Sequence, residues 1–297
     1  MILETRGLTK KFGRITAVDS LDLEVREGQV YGLLGPNGSG KTTTLGMILG
    51  VTNKTGGTYS WFGQGEDYRL RKQVGAILEH PIFYPYLTAM QNLRITALIK
   101  EIEQPDYTHT LKMVGLYDRR NDPFSTYSLG MKQRLAIASS MLSDPGVLIF
   151  DEPTNGLDPQ GIAEIRKIIL EIRGMGKTIL LASHLLDEVQ KVCTHFAVLR
   201  NGKRIFAGEV DEVLNQKNRI EIGCADLEKA RNILSNDQRV RSIETADGYL
   251  LTEVDPVLKT QEINRIMMDQ GVILSHLVFK RSNLEEQFLA ILKENDD

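Results

Sequence analysis

Eight residues, GPNGSGKT at 35–42, have the spacing G-x-x-x-x-G-K-[ST]. Glycines at Gly35, Gly38 and Gly40, with Pro36, Asn37 and Ser39 between them, let backbone N–H groups curl around phosphate oxygens. Lys41 supplies a point charge for β and γ phosphates, and the Thr42 hydroxyl is placed to bind Mg²⁺. Thr43 follows in the first turn of an expected helix, whose N-terminus adds a favourable dipole. A second group lies in VLIFDEP at 147–153. An apolar strand there brings Asp151 to the end of a sheet, where ligands bind in α/β folds. A carboxylate in that place can hold Mg²⁺ directly or through water. Glu152 comes next, points elsewhere, and is placed to polarise an attacking water. In YSLGMKQRL at 127–135, Ser128 is a natural helix cap and Gly130 permits close backbone approach. Read alone, that stretch is an ordinary cap. In VGAILEHPIFY at 74–84, Glu79 and His80 end a short apolar run just before a proline. An acid in that place is either solvated or useful.

These groups need elements to hold them. The spacing of QVYGLLG (29–35) predicts a buried strand feeding the phosphate loop, and TTTLGMILG (42–50) predicts a helix leaving it. ILETRGLTKKF and ITAVDSLDLEV alternate as antiparallel strands around a Gly13–Arg14 turn. TGGTYSWFG (55–63) reads as a hairpin-like piece, and residues 68–80 as a short charged helix followed by the VGAIL strand. Residues from about 87 to 143 carry helical patterns, then apolar strands (VLIFD, TILLAS) alternate with helices (GIAEIRKIILEIRGMG, HLLDEVQKVC) before the hairpin HFAVLRNGKRIFAG. Such alternation implies a parallel α/β sheet covered on both faces. Composition shifts near Gln216, and the remainder reads β-α-β-β-α-β with a final helix LEEQFLAILK, the order of a small ferredoxin-like domain.

The bulk numbers bound the function. A chain of 297 residues with 41% hydrophobic content can bury a sizeable core. Its 36 basic and 39 acidic residues nearly balance and form no polybasic tract, so binding of nucleic acid by bulk charge is not indicated. Cys193 and Cys224 lack disulfide or metal spacing, which fits a reducing compartment. The N-terminus has no apolar signal region, and no apolar run approaches the roughly 18 residues needed to cross a bilayer. The chain is expected to be cytoplasmic, and any work at a membrane requires a partner to hold it there.

GPNGSGKTT, YSLGMKQRL, DEPTNGLDP and ASH, in that order, resemble the ATP-binding subunits of ABC transporters over residues 1 to about 215. The resemblance implies a P-loop NTPase cassette in which a mixed α/β sheet core carries a helical subdomain at about 85–145. The accessory α+β domain then covers 216–297. The implied cofactors are ATP and Mg²⁺, with Thr42, Asp151 and Glu79 as metal ligands. Ser128 and Gly130 fall in the family's signature sequence, which closes over the γ-phosphate bound by the other subunit of a head-to-tail dimer. The family pattern there is LSGGQ, and this chain has Leu129 at the first glycine. Asp158, also a natural cap before Pro159, matches the loop that communicates across the dimer. His184 matches the switch histidine that contacts the γ-phosphate and positions Glu152 and water. Phe12 falls where an aromatic stacks on adenine, core packing being its alternative reading. Glu79 stands where glutamine is usual, and a carboxylate is the stronger Mg²⁺ ligand. That substitution with a YSLGM-like signature is typical, in this family, of subunits that export bacitracin or lantibiotics or give immunity to them. His80, Phe83 and Tyr84 are expected to pack or to face the transporter partner. The implied partners are a second cassette, identical or related, and an integral membrane permease on whose inner face the subunit sits. Two other classes compete. A soluble ABC-type ATPase of ribosomes or DNA typically carries two cassettes or long insertions, and neither is seen here. A small-molecule kinase with a phosphate loop has no need of the signature and the histidine together.

Overall fold

A computed structural model describes residues 1–79, 81–215, 218–246, 248–255, 257–280, 284, 285 and 288. His80 and most of the helix expected at 284–293 lie outside the described residues. The chain divides into two compact units, Met1–Ala207 and Gly208–Asp297. The composition shift near Gln216 therefore comes after a short helix that clusters with the second unit.

In the first unit the elements run β1 (Leu3–Phe12), β2 (Ile15–Val25), β3 (Val30–Leu34), α1 (Lys41–Ile48), β4 (Gly56–Trp61), β5 (Val74–Ile77), α2 (Ala89–Ile99), α3 (Tyr107–Met113), α4 (Leu129–Met141), β6 (Val147–Asp151), α5 (Pro159–Gly174), β7 (Thr178–Ser183), α6 (Leu186–Val192), β8 (His195–Arg200) and β9 (Lys203–Glu209). Six strands form one sheet in the order β5-β6-β7-β3-β8-β9. The pairings β5–β6, β6–β7, β7–β3 and β3–β8 are parallel. Every residue of β3, β6 and β7 is buried, which is why these strands read as continuous apolar runs. A second sheet, β2-β1-β4, is antiparallel. Its turn joins Phe12 to Ile15. Residues 55–63 do not fold on themselves as a hairpin. The single strand β4 pairs with β1 instead, from Leu3↔Trp61 to Thr9↔Gly56. The free edge of β1 offers ladder partners that so short a segment cannot supply internally.

Several helices start on side-chain caps. Thr88 and Gln91 form a capping box at α2. Ser128 caps α4 and Asp158 caps α5, where Pro159 takes the first helical position, the place its missing N–H is best tolerated. Ile165, Ile168, Ile169 and Ile172 form the buried stripe of α5.

The second unit contains α7 (Val210–Asn215), β10 (Asn218–Cys224), α8 (Leu227–Ser235), β11 (Val240–Ala246), β12 (Tyr249–Val254), α9 (Thr260–Asp269) and β13 (Leu274–Lys280). Its antiparallel sheet has the order β11-β12-β10-β13, the ferredoxin-like arrangement. Ala230 and Leu234 of α8 and Ile263 and Met267 of α9 share a core with Ile220, Ile222, Leu250 and Val254. Among the described residues, no helix is long and apolar enough to cross a membrane.

Candidate functional site

Three adjacent parallel strands end at one level. Leu34 of β3 lies beside Ser183 of β7, and Ala182 of β7 lies beside Asp151 of β6. The loops that leave these strands are the phosphate loop, the Asp151–Glu152 pair and the turn bearing His184. Sheet register therefore brings together residues spread over 150 positions, at the carboxyl edge where such sheets bind ligands.

The phosphate loop is shaped by glycine. Gly40 has φ +104°, and a Cβ there would stand 2.6 Å from the Ala17 carbonyl of β2. The loop thus docks against a neighbouring strand with no room for a side chain. Lys41, the first residue of α1, is buried, and its ammonium donates to the Gly35 carbonyl at 2.7 Å. The same nitrogen lies 3.3 Å from Glu152 Oε1. Glu152 Oε2 in turn meets His184 Nδ1 at 2.7 Å. Lysine, acid and imidazole therefore form one contiguous line.

Asp151 is 1% exposed, and neither carboxylate oxygen has a hydrogen-bond partner. Burial pushes its carboxyl above the usual range; the Thr42 hydroxyl and the Lys41 ammonium pull it back, while Glu152 and Glu79 push it up. Thr42 exerts that pull without meeting the geometry of a hydrogen bond. The Ser39 hydroxyl is also buried without a hydrogen-bond partner, whereas Glu152 Oε1 has its ion pair with Lys41. Buried oxygens left unpaired at one sheet edge are costly unless a ligand completes them. Among the described residues, no three His, Cys, Asp or Glu side chains form a metal cage of their own. One buried carboxylate, a hydroxyl and a second nearby acid suit Mg²⁺, which uses few protein ligands and takes the rest from phosphate and water.

Glu79 and Glu152 share a backbone feature. Both have left-handed φ, +56° and +48°. A non-glycine residue in that region costs about 1–3 kcal/mol and persists where its surroundings impose it. At Glu152 the surroundings are visible: its N–H donates to the Ala182 carbonyl at 3.0 Å, and its carbonyl accepts from the Asn155 N–H at 3.1 Å. Glu79 follows β5, whose Ile77 pairs with Phe150, so it emerges beside Asp151 with its side chain exposed.

Ser128, Leu129, Gly130 and Asp158 line a separate cleft of about 470 Å³, and no phosphate-loop residue lines it. Ser128 Oγ accepts from the Met131 N–H at 3.3 Å, and Asp158 Oδ1 from the Gly161 N–H at 2.8 Å. Both side chains act as caps within this chain. Leu129 sits in the first turn of α4 outside the left-handed region, so the backbone accepts leucine where glycine is the pattern. Phe12 is 51% exposed, which removes core packing as its role; the Lys10 ammonium lies 4.6 Å from its ring centre. Phe83 packs on Phe124 with ring centres 5.1 Å apart, while Ile82, Tyr84 and Ile99 line an apolar cleft of about 560 Å³ and remain exposed.

Sequence spacing did not single out Arg166 and Glu188, which pair between α5 and α6. Glu188 lies one turn before Val192 on the apolar stripe of α6, and a charged residue on such a stripe is the signal of a buried partner.

The protein-family model for ABC transporters matches residues 18–155. The bacitracin transport ATP-binding protein BcrA of Enterococcus faecalis is 36% identical over 98% of this chain and 96% of its own length. The lantibiotic transport ATP-binding protein SrtF of Streptococcus pyogenes is 37% identical over 71% of this chain and 92% of its own. Among solved structures, an ATP-binding subunit of an ABC transporter superposes with TM-score 0.65 and 29% identity, covering 73% of this chain and 93% of that one. A dimeric cassette bound to ADP and Pi, 24% identical with TM-score 0.64, shares the fold.

Proposed function

This chain belongs to the ATP-binding subunits of ABC transporters, and we propose that it drives export of a peptide antibiotic or similar cargo through a separate membrane permease. The chain binds and hydrolyses ATP, as its family does. What carries the site assignment is the line from Lys41 through Glu152 to His184 beside the unpaired Asp151 carboxylate. In this reading Lys41 and the loop N–H groups from Gly35 to Thr43 hold the phosphates, and Phe12 offers a face to adenine. Thr42, Asp151 and Glu79 would hold Mg²⁺, which when bound would supply positive charge to offset the charge of the transferring phosphoryl group. Glu152 orients and polarises the attacking water; His184 fixes the Glu152 carboxylate by hydrogen bond and faces the γ-phosphate. Burial of Lys41 strengthens its attraction to Glu152, while the imidazole of His184 stays exposed at the outer end of the line.

Ser128, Gly130 and Asp158 lie in their own cleft, so they serve the nucleotide of a second cassette, in a homodimer or with a related chain. The apolar cleft at Ile82, Tyr84 and Ile99 supplies the face for the permease, which holds the subunit at the cytoplasmic side of the membrane. The bacitracin and lantibiotic relatives, together with Glu79, support the cargo class.

The test is Glu152→Gln in the full chain. Turnover should fall at least about 100-fold, the scale of losing a general base, while ATP affinity stays within a few-fold. The variant should also elute as a dimer in MgATP by size-exclusion chromatography. Near-native hydrolysis would overturn the role of Glu152. The transport reading is checked by reconstituting the subunit with its permease in vesicles: bacitracin or a lantibiotic should raise the ATPase rate, and no response to either would remove that cargo class.

A further inference from the structure

Helix α6 begins two residues after His184 and has seven residues. Leu185 at its start supplies no side-chain cap. A helix that short is not stable alone, so its placement is decided by what packs on it. Val189 and Val192 are buried, and Glu188, 6% exposed, is buried beside them. Arg166 of α5 meets the Glu188 carboxylate with both arms of its guanidinium, Nε to Oε2 at 3.2 Å and Nη2 to Oε1 at 2.5 Å. Arg173, two turns further along α5, reaches the Val192 carbonyl at 3.4 Å.

A buried ion pair adds little net stability over well-packed apolar residues, because desolvation offsets the attraction. It does restrict geometry. The planar fork of arginine fits a carboxylate in one arrangement, and a shift of α6 along α5 would leave a buried carboxylate unpaired. His184 depends on that restriction. Its imidazole is 36% exposed and touches Glu152, and its backbone turns out of β7 through Ser183, whose Oγ accepts from the Leu185 N–H at 3.0 Å. Where α6 sits therefore decides where the imidazole points.

We propose that Arg166 and Glu188 are positioning residues for ATP hydrolysis: their two-armed contact holds α6 in one register on α5 and so holds His184 against Glu152. The assignment rests on the role given above to His184. It also links the histidine to Asp158, the cap of the same α5 helix, eight residues before Arg166.

The experiment is a double-mutant cycle on steady-state ATPase in the full chain, with thermal midpoints measured alongside. Arg166→Lys keeps the charge and loses the fork. Its kcat should fall about tenfold with KM for ATP within about twofold, as for a small misplacement of a reacting group. His184→Ala should lower kcat at least as far, and adding Arg166→Lys to it should then change kcat less than about twofold, because both act through one group. Glu188→Gln, of the same shape, should reproduce Arg166→Lys and carries the test if the lysine variant does not fold. A lowered midpoint with native kcat below the transition would overturn the positioning role, as would a full tenfold effect on top of His184→Ala. Native kcat in His184→Ala would instead overturn the role of His184, and this assignment with it.

Discussion

Asp151 shows the conflict between folding and function at the level of one residue. Its carboxyl is buried, unpaired and raised above its ordinary value of 3.8, burial being the main cause. A raised carboxyl binds more protons in the folded chain than in the unfolded one. Its contribution to stability is thus complete below pH 3.8 and is lost as the pH rises through the raised value. Above that range, burial of this carboxyl opposes folding. Asp151→Asn should therefore raise the thermal midpoint of the metal-free, nucleotide-free protein by about 2–4 °C, equivalent to about 1 kcal/mol. The same change should abolish Mg²⁺-dependent hydrolysis. Calorimetry from pH 5 to 8 checks the first part, and an unchanged or lowered midpoint would show that the carboxylate is compensated in a way its surroundings do not reveal. The acids at 79, 151 and 152 were legible from their places at strand ends. That Glu79 and Glu152 adopt left-handed backbone was not, because side-chain pattern carries no information about φ at a strand terminus.

Elements act on the site by what they exclude. The phosphate loop is held between the end of β3 and the start of α1, and at Gly40 it presses on the Ala17 carbonyl. Gly40→Ala meets two obstacles, a φ of +104° and a 2.6 Å contact with backbone oxygen. The variant should bind ATP at least about tenfold more weakly and lose about 1–3 kcal/mol of stability, since the backbone itself must move. Isothermal titration and denaturant unfolding check both, and native affinity would mean the loop can shift without losing its N–H array. The motif named this glycine through its spacing. Its partner Ala17, in β2, has no sequence mark, because an ordinary carbonyl acquires a role only through proximity. The exchange of a hairpin for β4 has the same origin, in a ladder partner distant in the chain, as in Leu3↔Trp61.

Among the described residues of the whole molecule, each unit has a hydrophobic cluster of its own. Leu8, Leu33, Ile149 and Leu180 belong to a cluster drawn from the first unit, and the Ile220–Met267 cluster is drawn from the second. All groups proposed to handle the nucleotide precede residue 185. A chain ending at residue 215 should accordingly unfold in one cooperative transition and keep Mg²⁺-dependent ATPase activity within about threefold of the full chain, additivity holding for groups without shared partners. Circular dichroism melting and ATPase assay check it. A chain that melts without cooperativity would show that the first unit needs residues beyond 215.

The amino-acid sequence by itself determined the family, the α/β order of the cassette and the ferredoxin-like order of the second unit. Each depends on local spacing: glycines around a lysine, apolar runs of strand length, caps at helix starts. Tertiary structure decided which of those residues meet. Only sheet register sets the 35–42 loop, Asp151 and His184 at one edge, and only packing leaves the Asp151 oxygens unpaired. It also decided that Phe12 is exposed, that Leu129 fits its helix, and that Arg166 grips Glu188. The reason is physical: propensity and periodicity are properties of neighbours in the chain, whereas burial, register and unpaired charge are properties of neighbours in space.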